Sequence, residues 1–192
     1  ILVGRENDPK LLSSYALAQA RQWFFGNLEA ADKARAAAER ALQAAPNSGE
    51  SLLAMAVVKF QDADLAGAVL VLRQALQRAP TLAEAHDLLG RILIETGPLQ
   101  EGMRALVIAM DIDPSLLRLR VELARVHELQ GHHKQADEIF AKSSSSPLSA
   151  GYTAALRARI CLWRRDRALA HKLLEEIDAG LPLTDAMRSM LE

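Results

Sequence analysis

The sequence predicts an all-α chain of stacked helical hairpins, on three observations. Of its 192 residues, 34 are Ala and 32 are Leu, both strong helix formers, while aromatics make up only 4%. Pro46, Pro80 and Pro114 stand 34 residues apart, Pro182 lies two further periods on, and Pro147 falls one residue short of the missing mark. Within residues 51–60 and 64–77 the apolar side chains recur at the spacing of a helix face.

The composition excludes several classes. Strand-forming runs are too short for an all-β fold, and a single Cys cannot build a disulfide scaffold. No 18-residue apolar run free of charge occurs, so no membrane span is expected. A net charge of -1 gives no general attraction to nucleic acid or to a membrane surface. The chain starts Ile1-Leu2-Val3 without an initiating Met and stops within a helical pattern, as expected of a piece of a longer protein.

In chain order, residues 1–10 read as a linker and 11–182 as the repeat array, with units at about 11–46, 49–80, 83–114, 117–147 and 151–182. Residues 183–192 read as a capping helix or the start of a sixth unit. Two columns hold small residues, Ala56, Gly90, Ala124 and Ala158 in the first helix and Ala68, Gly102, Ala136 and Ala170 in the second. They let paired helices approach closely, and Leu72, Leu106, Phe140 and Leu174 fill the space one turn on. Gly97-Pro98 and Gly131 mark the turn between helices, and Thr81 with Glu84 has the spacing of a capping box. Pro46 arrives three residues late, which predicts roughly one extra turn in the second helix of the first unit. Ser143 to Pro147 reads as an inter-repeat loop.

These residues resemble the tetratricopeptide (TPR) repeat. The match is clearest over residues 83–114, with Leu89-Gly90, Gly97, Leu99, Gly102, Leu106, Ala109 and Pro114 in place. Residues 49–80 and 117–147 follow well, whereas 151–182 departs with Arg157 for the usual Leu and Arg165 for the usual Gly. The resemblance implies a right-handed superhelical solenoid of about five repeats. It also implies that the first helix of each hairpin lines a concave groove for a partner peptide or helix.

No residue pattern supports catalysis, a cofactor or a metal. His127 and His132 are five apart where a zinc helix needs four, and the calcium-like start at Asp62 and Asp64 finds Ala66 and Arg73 at its later ligand places. Cys161 lies in an apolar helical context. The expected function is therefore a non-enzymatic interaction scaffold. Alternatives are the sensor or docking arm of a bacterial kinase, cyclase or transcription activator, or an envelope or secretion-assembly factor. A cytoplasmic location is expected.

The groove positions follow by offset. Arg91, Arg125 and Arg159 recur one repeat apart as a ladder, with Asp87, Glu95 and Glu128 nearby. Trp23, Phe24, Leu53, Val57 and Phe60 form an apolar front. Arginines that hold carboxylates in pairs of hydrogen bonds suit an acidic partner, and aromatic anchors are common binding hot spots. Internal pairing of these acids and arginines is the alternative. The cluster Arg157, Arg159, Arg164, Arg165, Arg167 and Lys172 spreads over two helices and a turn, so nucleic acid is not the expected partner.

Overall fold

The computed structural model describes residues 7–116, 118–143, 150–175, 177 and 189. Among them are ten helices and no strand, paired as α1(Pro9–Phe24) with α2(Glu29–Ala44), α3(Gly49–Gln61) with α4(Leu65–Arg78), α5(Ala83–Thr96) with α6(Leu99–Ile112), α7(Arg118–Leu129) with α8(His133–Ser143), and α9(Ala150–Trp163) with α10(Arg167–Glu175). The chain divides into two compact units, Ile1–Ile112 and Asp113–Glu192. All but residue 189 of the expected final helix, and most of the Ser143–Pro147 loop, lie outside the described residues.

In the first unit each hairpin packs on the next through its first helix, α1 on α3 and α3 on α5, with α2 and α4 covering the following hairpin. Its core follows the small and large columns: Ala56 and Ala68 at the crossing, Leu72 beside them, then Leu88, Leu89 and Ile92 of the next hairpin. The first hairpin is held almost wholly by alanines, with Ala16, Ala20, Ala34, Ala37 and Ala38 packed against Ala54 and Val58. At α5–α6 the approach is closer still. A Cβ on Gly90 would stand 2.9 Å from the Gly102 carbonyl oxygen, so backbone meets backbone there. The second unit repeats the plan, with α7 and α8 packed on α9. Val121, Ala124, Ala136 and Phe140 close against Leu156 and Ile160, and Ala158, Cys161, Ala170 and Leu174 form the last layer.

The turn inside each hairpin shows how the sequence ends one helix and starts the next. Gly26, Ala63, Gly97, Gly131 and Arg165 all have left-handed backbones, with φ of 93°, 62°, 116°, 77° and 62°. In four turns the following residue donates to a carbonyl five back: Asn27 to Gln22, Asp64 to Lys59, His132 to His127, and Asp166 to Cys161. That is the Schellman closure. At the fifth turn Pro98 has no N–H, so Gly97 itself donates to Leu93 (3.0 Å), the simpler left-handed cap. Asp64 and Asp166 then cap the second helices by accepting from Gly67 (2.9 Å) and Leu169 (3.1 Å). Asp64 is thus occupied as a helix cap.

Two of the five left-handed positions carry a Cβ that this conformation disfavours. Ala63→Gly is expected to stabilise the first unit by about 0.5–1 kcal/mol, net of the added freedom of the unfolded chain, as read from urea melts. No gain would mean that the turn has already relaxed the strain.

Two local expectations need adjusting. Thr81 and Glu84 make no capping box, because the N-cap of α5 is Leu82, which makes no side-chain cap bond. The place is one residue later than expected, equivalent to Ser48, whose hydroxyl accepts from the Ser51 N–H at 3.3 Å in α3. Helix α1 also starts inside the stretch expected as linker, since Pro9 sits in its first turn and Asp8 accepts from the N–H groups of Lys10 and Leu11. The extra length in the first unit is present. Of the three extra positions between the left-handed residue and the helix end, the helix takes two, 16 residues in α2 against 14 in α4, about half a turn rather than a full one, and the third lies in the turn before it.

Candidate partner-binding surface

The groove positions fall on α1, α3 and α5 in the first unit and on α7 and α9 in the second. On the first unit, Leu53 is buried, while Val57 and Phe60 are half-buried and packed on the same core. Trp23 is half-buried, with the Arg35 guanidinium 4.6 Å from its ring centroid. Phe24 is exposed and stands edge-on to Phe25, centroids 5.4 Å apart. Asp87 is buried and accepts from Arg91 Nε at 2.9 Å, whereas Glu95 is exposed. This pairing one helical turn apart fixes the Arg91 head close to its own helix.

On the second unit the two arginines of the ladder differ. The Arg125 side chain is only 3% exposed, and its Nε and a terminal nitrogen reach Glu122 Oε2 at 2.9 and 2.8 Å. It does not present a guanidinium to an open groove as its offset predicts. Glu122 stands three residues earlier in the column of Ala54, Leu88 and Leu156, where an apolar side chain is the rule, and draws the Arg125 head into the packed layer. Arg159, by contrast, is half-buried, and its guanidinium stacks 4.9 Å from the centroid of Trp163, which is exposed. Leu129 occupies the same place one repeat earlier and is exposed too, giving the second unit an apolar ledge beside a cation.

Glu128 is buried and bound to Arg164, whose Nε donates to Oε1 at 2.8 Å while a terminal nitrogen reaches Oε2. Arg164 also donates to Asp137 (3.0 and 3.2 Å), and His133 Nδ1 lies 3.0 Å from Glu128 Oε1. The guanidinium holds the Glu128 carboxyl below its ordinary value, and the two acids raise the pKa of Arg164. Glu128 is therefore the centre of a clamp joining α7, α8 and α9, which sequence offsets alone did not show. A charge in an apolar column was the available signal. Glu122 carries it on α7, and in the first unit Arg35 takes the place of Leu72 and Leu106 and bridges Asp32 and Asp62.

Other candidate groups are placed as follows. The His127 and His132 rings come within 5.9 Å across the turn, but among the described residues no three His, Cys, Asp or Glu side chains converge as metal ligands would. Cys161 is buried, and burial pushes its thiol up, away from the reactive thiolate. No helix among the described residues is long and apolar enough to cross a membrane.

Helical hairpins that within each unit stack on their neighbours, with left-handed turns that recur every 34 residues from Ala63 to Arg165, define a helical-repeat fold. No protein-family model and no curated protein matches the chain. Solved structures do. The chain is similar to a TPR protein from Parabacteroides merdae (16% identity, 98% of this chain and 72% of that one, TM-score 0.73). It is also similar to a thermophilic TPR protein of Thermus thermophilus (17%, 93% and 96%, TM-score 0.72) and to pilF of Pseudomonas aeruginosa (22%, 90% and 76%, TM-score 0.67). The chain has a TPR-like, all-α helical-repeat fold.

Proposed function

We propose that the chain is a non-enzymatic scaffold that captures a peptide or helix of a protein partner on the faces of its first helices. The observation that carries this reading is the exposure of large anchors at groove positions: Phe24 on the first unit and Trp163, stacked on Arg159, on the second. A soluble domain gains nothing in stability from exposed aromatics, whereas a binding surface does. Arg159 beside Trp163 suits a partner segment that pairs a carboxylate with an apolar side chain. A cytoplasmic setting belongs to the same reading, since the lone thiol needs no oxidising compartment.

The test is selection of peptides from a random display library on the whole chain, followed by titration of the selected sequence against variants. Arg159→Glu and Trp163→Ala are expected to weaken binding at least about tenfold each, with unchanged helical melts. Arg91→Glu is not used on the first unit, because it would set a second carboxylate one turn from the buried Asp87. Arg125 is unsuitable for this purpose because its charge is buried. Selected peptides that bind every variant equally would refute the groove reading.

A further inference from the structure

The Schellman closure brings two side chains together in a hairpin turn, that of the residue whose carbonyl accepts and that of the residue whose N–H donates to it. At the α1–α2 turn these are Gln22 and Asn27, and Asn27 Nδ2 donates to Gln22 Oε1 at 3.4 Å. At the α3–α4 turn they are Lys59 and Asp64, an ion pair of 2.8 Å. At the α7–α8 turn they are His127 and His132. A step of five residues would set two histidines on different sides of a continuous helix. The turn undoes that separation. The left-handed Gly131 reverses the chain, the His132 N–H donates to the His127 carbonyl at 2.8 Å, and the ring centroids come to 5.9 Å with the planes tilted by 45°.

The His127 ring is not satisfied by the protein. Its Nδ1 is buried without a hydrogen-bond partner, one of two such side-chain atoms among the described residues. A buried polar atom of this kind marks a place for an ordered water or an ion. His132 is exposed, so the pair is open to solvent on one side. Two imidazoles are suited to a borderline divalent ion such as Zn²⁺ or Cu²⁺. Nitrogens about 2.0–2.1 Å from one zinc ion stand about 3.3 Å apart at the tetrahedral angle. Rings centred 5.9 Å apart reach that separation by side-chain rotation, with the backbone of the turn unchanged. Glu128, the carboxylate beside His127, is taken by Arg164 and His133, which leaves the other coordination places to water.

We propose that the α7–α8 turn is a two-histidine metal site, which takes one Zn²⁺ or Cu²⁺ ion through His127 and His132 and completes its coordination with water. An ion held there fastens the end of α7 to the start of α8, and because the unfolded chain does not hold the two rings together, binding stabilises the second unit. Calorimetric titration of Zn²⁺ into the whole chain, in a non-coordinating buffer, is expected to fill one site with a Kd on the order of 10 µM. His132→Ala and, separately, His127→Gln are expected to weaken it at least about tenfold, while His86→Ala and His171→Ala leave it unchanged. His132 is exposed, so its variant tests the site even where His127→Gln fails to fold. Electron paramagnetic resonance of the Cu²⁺ form is expected to show splitting from two imidazole nitrogens. The proposal is overturned by the absence of saturable binding below about 1 mM, by a folded His132→Ala variant that binds like the wild type, or by a Cu²⁺ spectrum with a single imidazole. Neither histidine stands at a groove position, so the outcome is independent of peptide capture.

Discussion

Arg125→Met is expected to cost the second unit about 3–5 kcal/mol, and adding Glu122→Leu is expected to recover most of that loss. Both side chains are 3% exposed and their ion pair lies within one turn of α7. Removing the guanidinium takes the Arg125 partner from a carboxylate that is itself only 3% exposed, where water cannot replace the lost hydrogen bonds. Removing both charges changes the sum. The equivalent places in other hairpins are Leu88 and Val57, so an apolar pair fits the repeat, and buried pairs replaced whole are often neutral. Urea melts of the two single variants and of the double measure the coupling directly. Additive costs, with the double worse than either single, would show that the pair is not the unit of stability.

The contrast between Arg125 and Arg159 shows how far a repeat sequence can be read. Period, hairpin turns and core columns were legible because each depends on a residue type that only one environment tolerates: small at a helix crossing, large one turn on, glycine or its equivalent in a left-handed turn. Ala56, Ala68 and Leu72 sit where their columns place them. The extra length before Pro46 was legible for the same reason, since a late proline shifts a boundary that can be counted, although only two of its residues lengthen α2. The destinations of long charged side chains were not. An offset fixes where a Cα–Cβ bond points, but an Arg head lies several ångströms beyond it and goes to the nearest strong acceptor. Arg91 meets Asp87, Arg125 meets Glu122, and Arg159 lies over Trp163, three fates for one column. Arg164 looked like part of a dispersed basic cluster, yet its partners come from other helices, Glu128 36 residues away and Asp137 27. Only the stacking of hairpins brings those groups together.

The Glu128–Arg164 clamp sets the pH response of the second unit. Arg164→Ala is expected to cost about 2–4 kcal/mol at neutral pH, because it leaves a buried carboxylate without its guanidinium. The folded-state pKa of Glu128 lies below its ordinary value of 4.5, chiefly through Arg164 and also through His133. The sign follows from that direction: a depressed carboxyl stabilises the fold above its unfolded value and loses the contribution as pH falls through its folded value. The penalty of Arg164→Ala should therefore be full at neutral pH and shrink below about pH 4.5, where protonation begins to discharge Glu128 in the variant first. Glu128→Gln should remove the same acid-sensitive component while keeping the shape of the side chain. Asp137 is largely exposed and adds little of its own. Trp163 precedes Arg164 in the chain, so its fluorescence in a Trp23→Phe background follows this unit alone through urea melts at several pH values. A penalty for Arg164→Ala that is the same at neutral and acid pH would assign the loss to packing of the arginine stem. A penalty that fades with acid would assign it to the charge pair that fastens α7 and α8 to α9, the helix that carries Arg159 and Trp163.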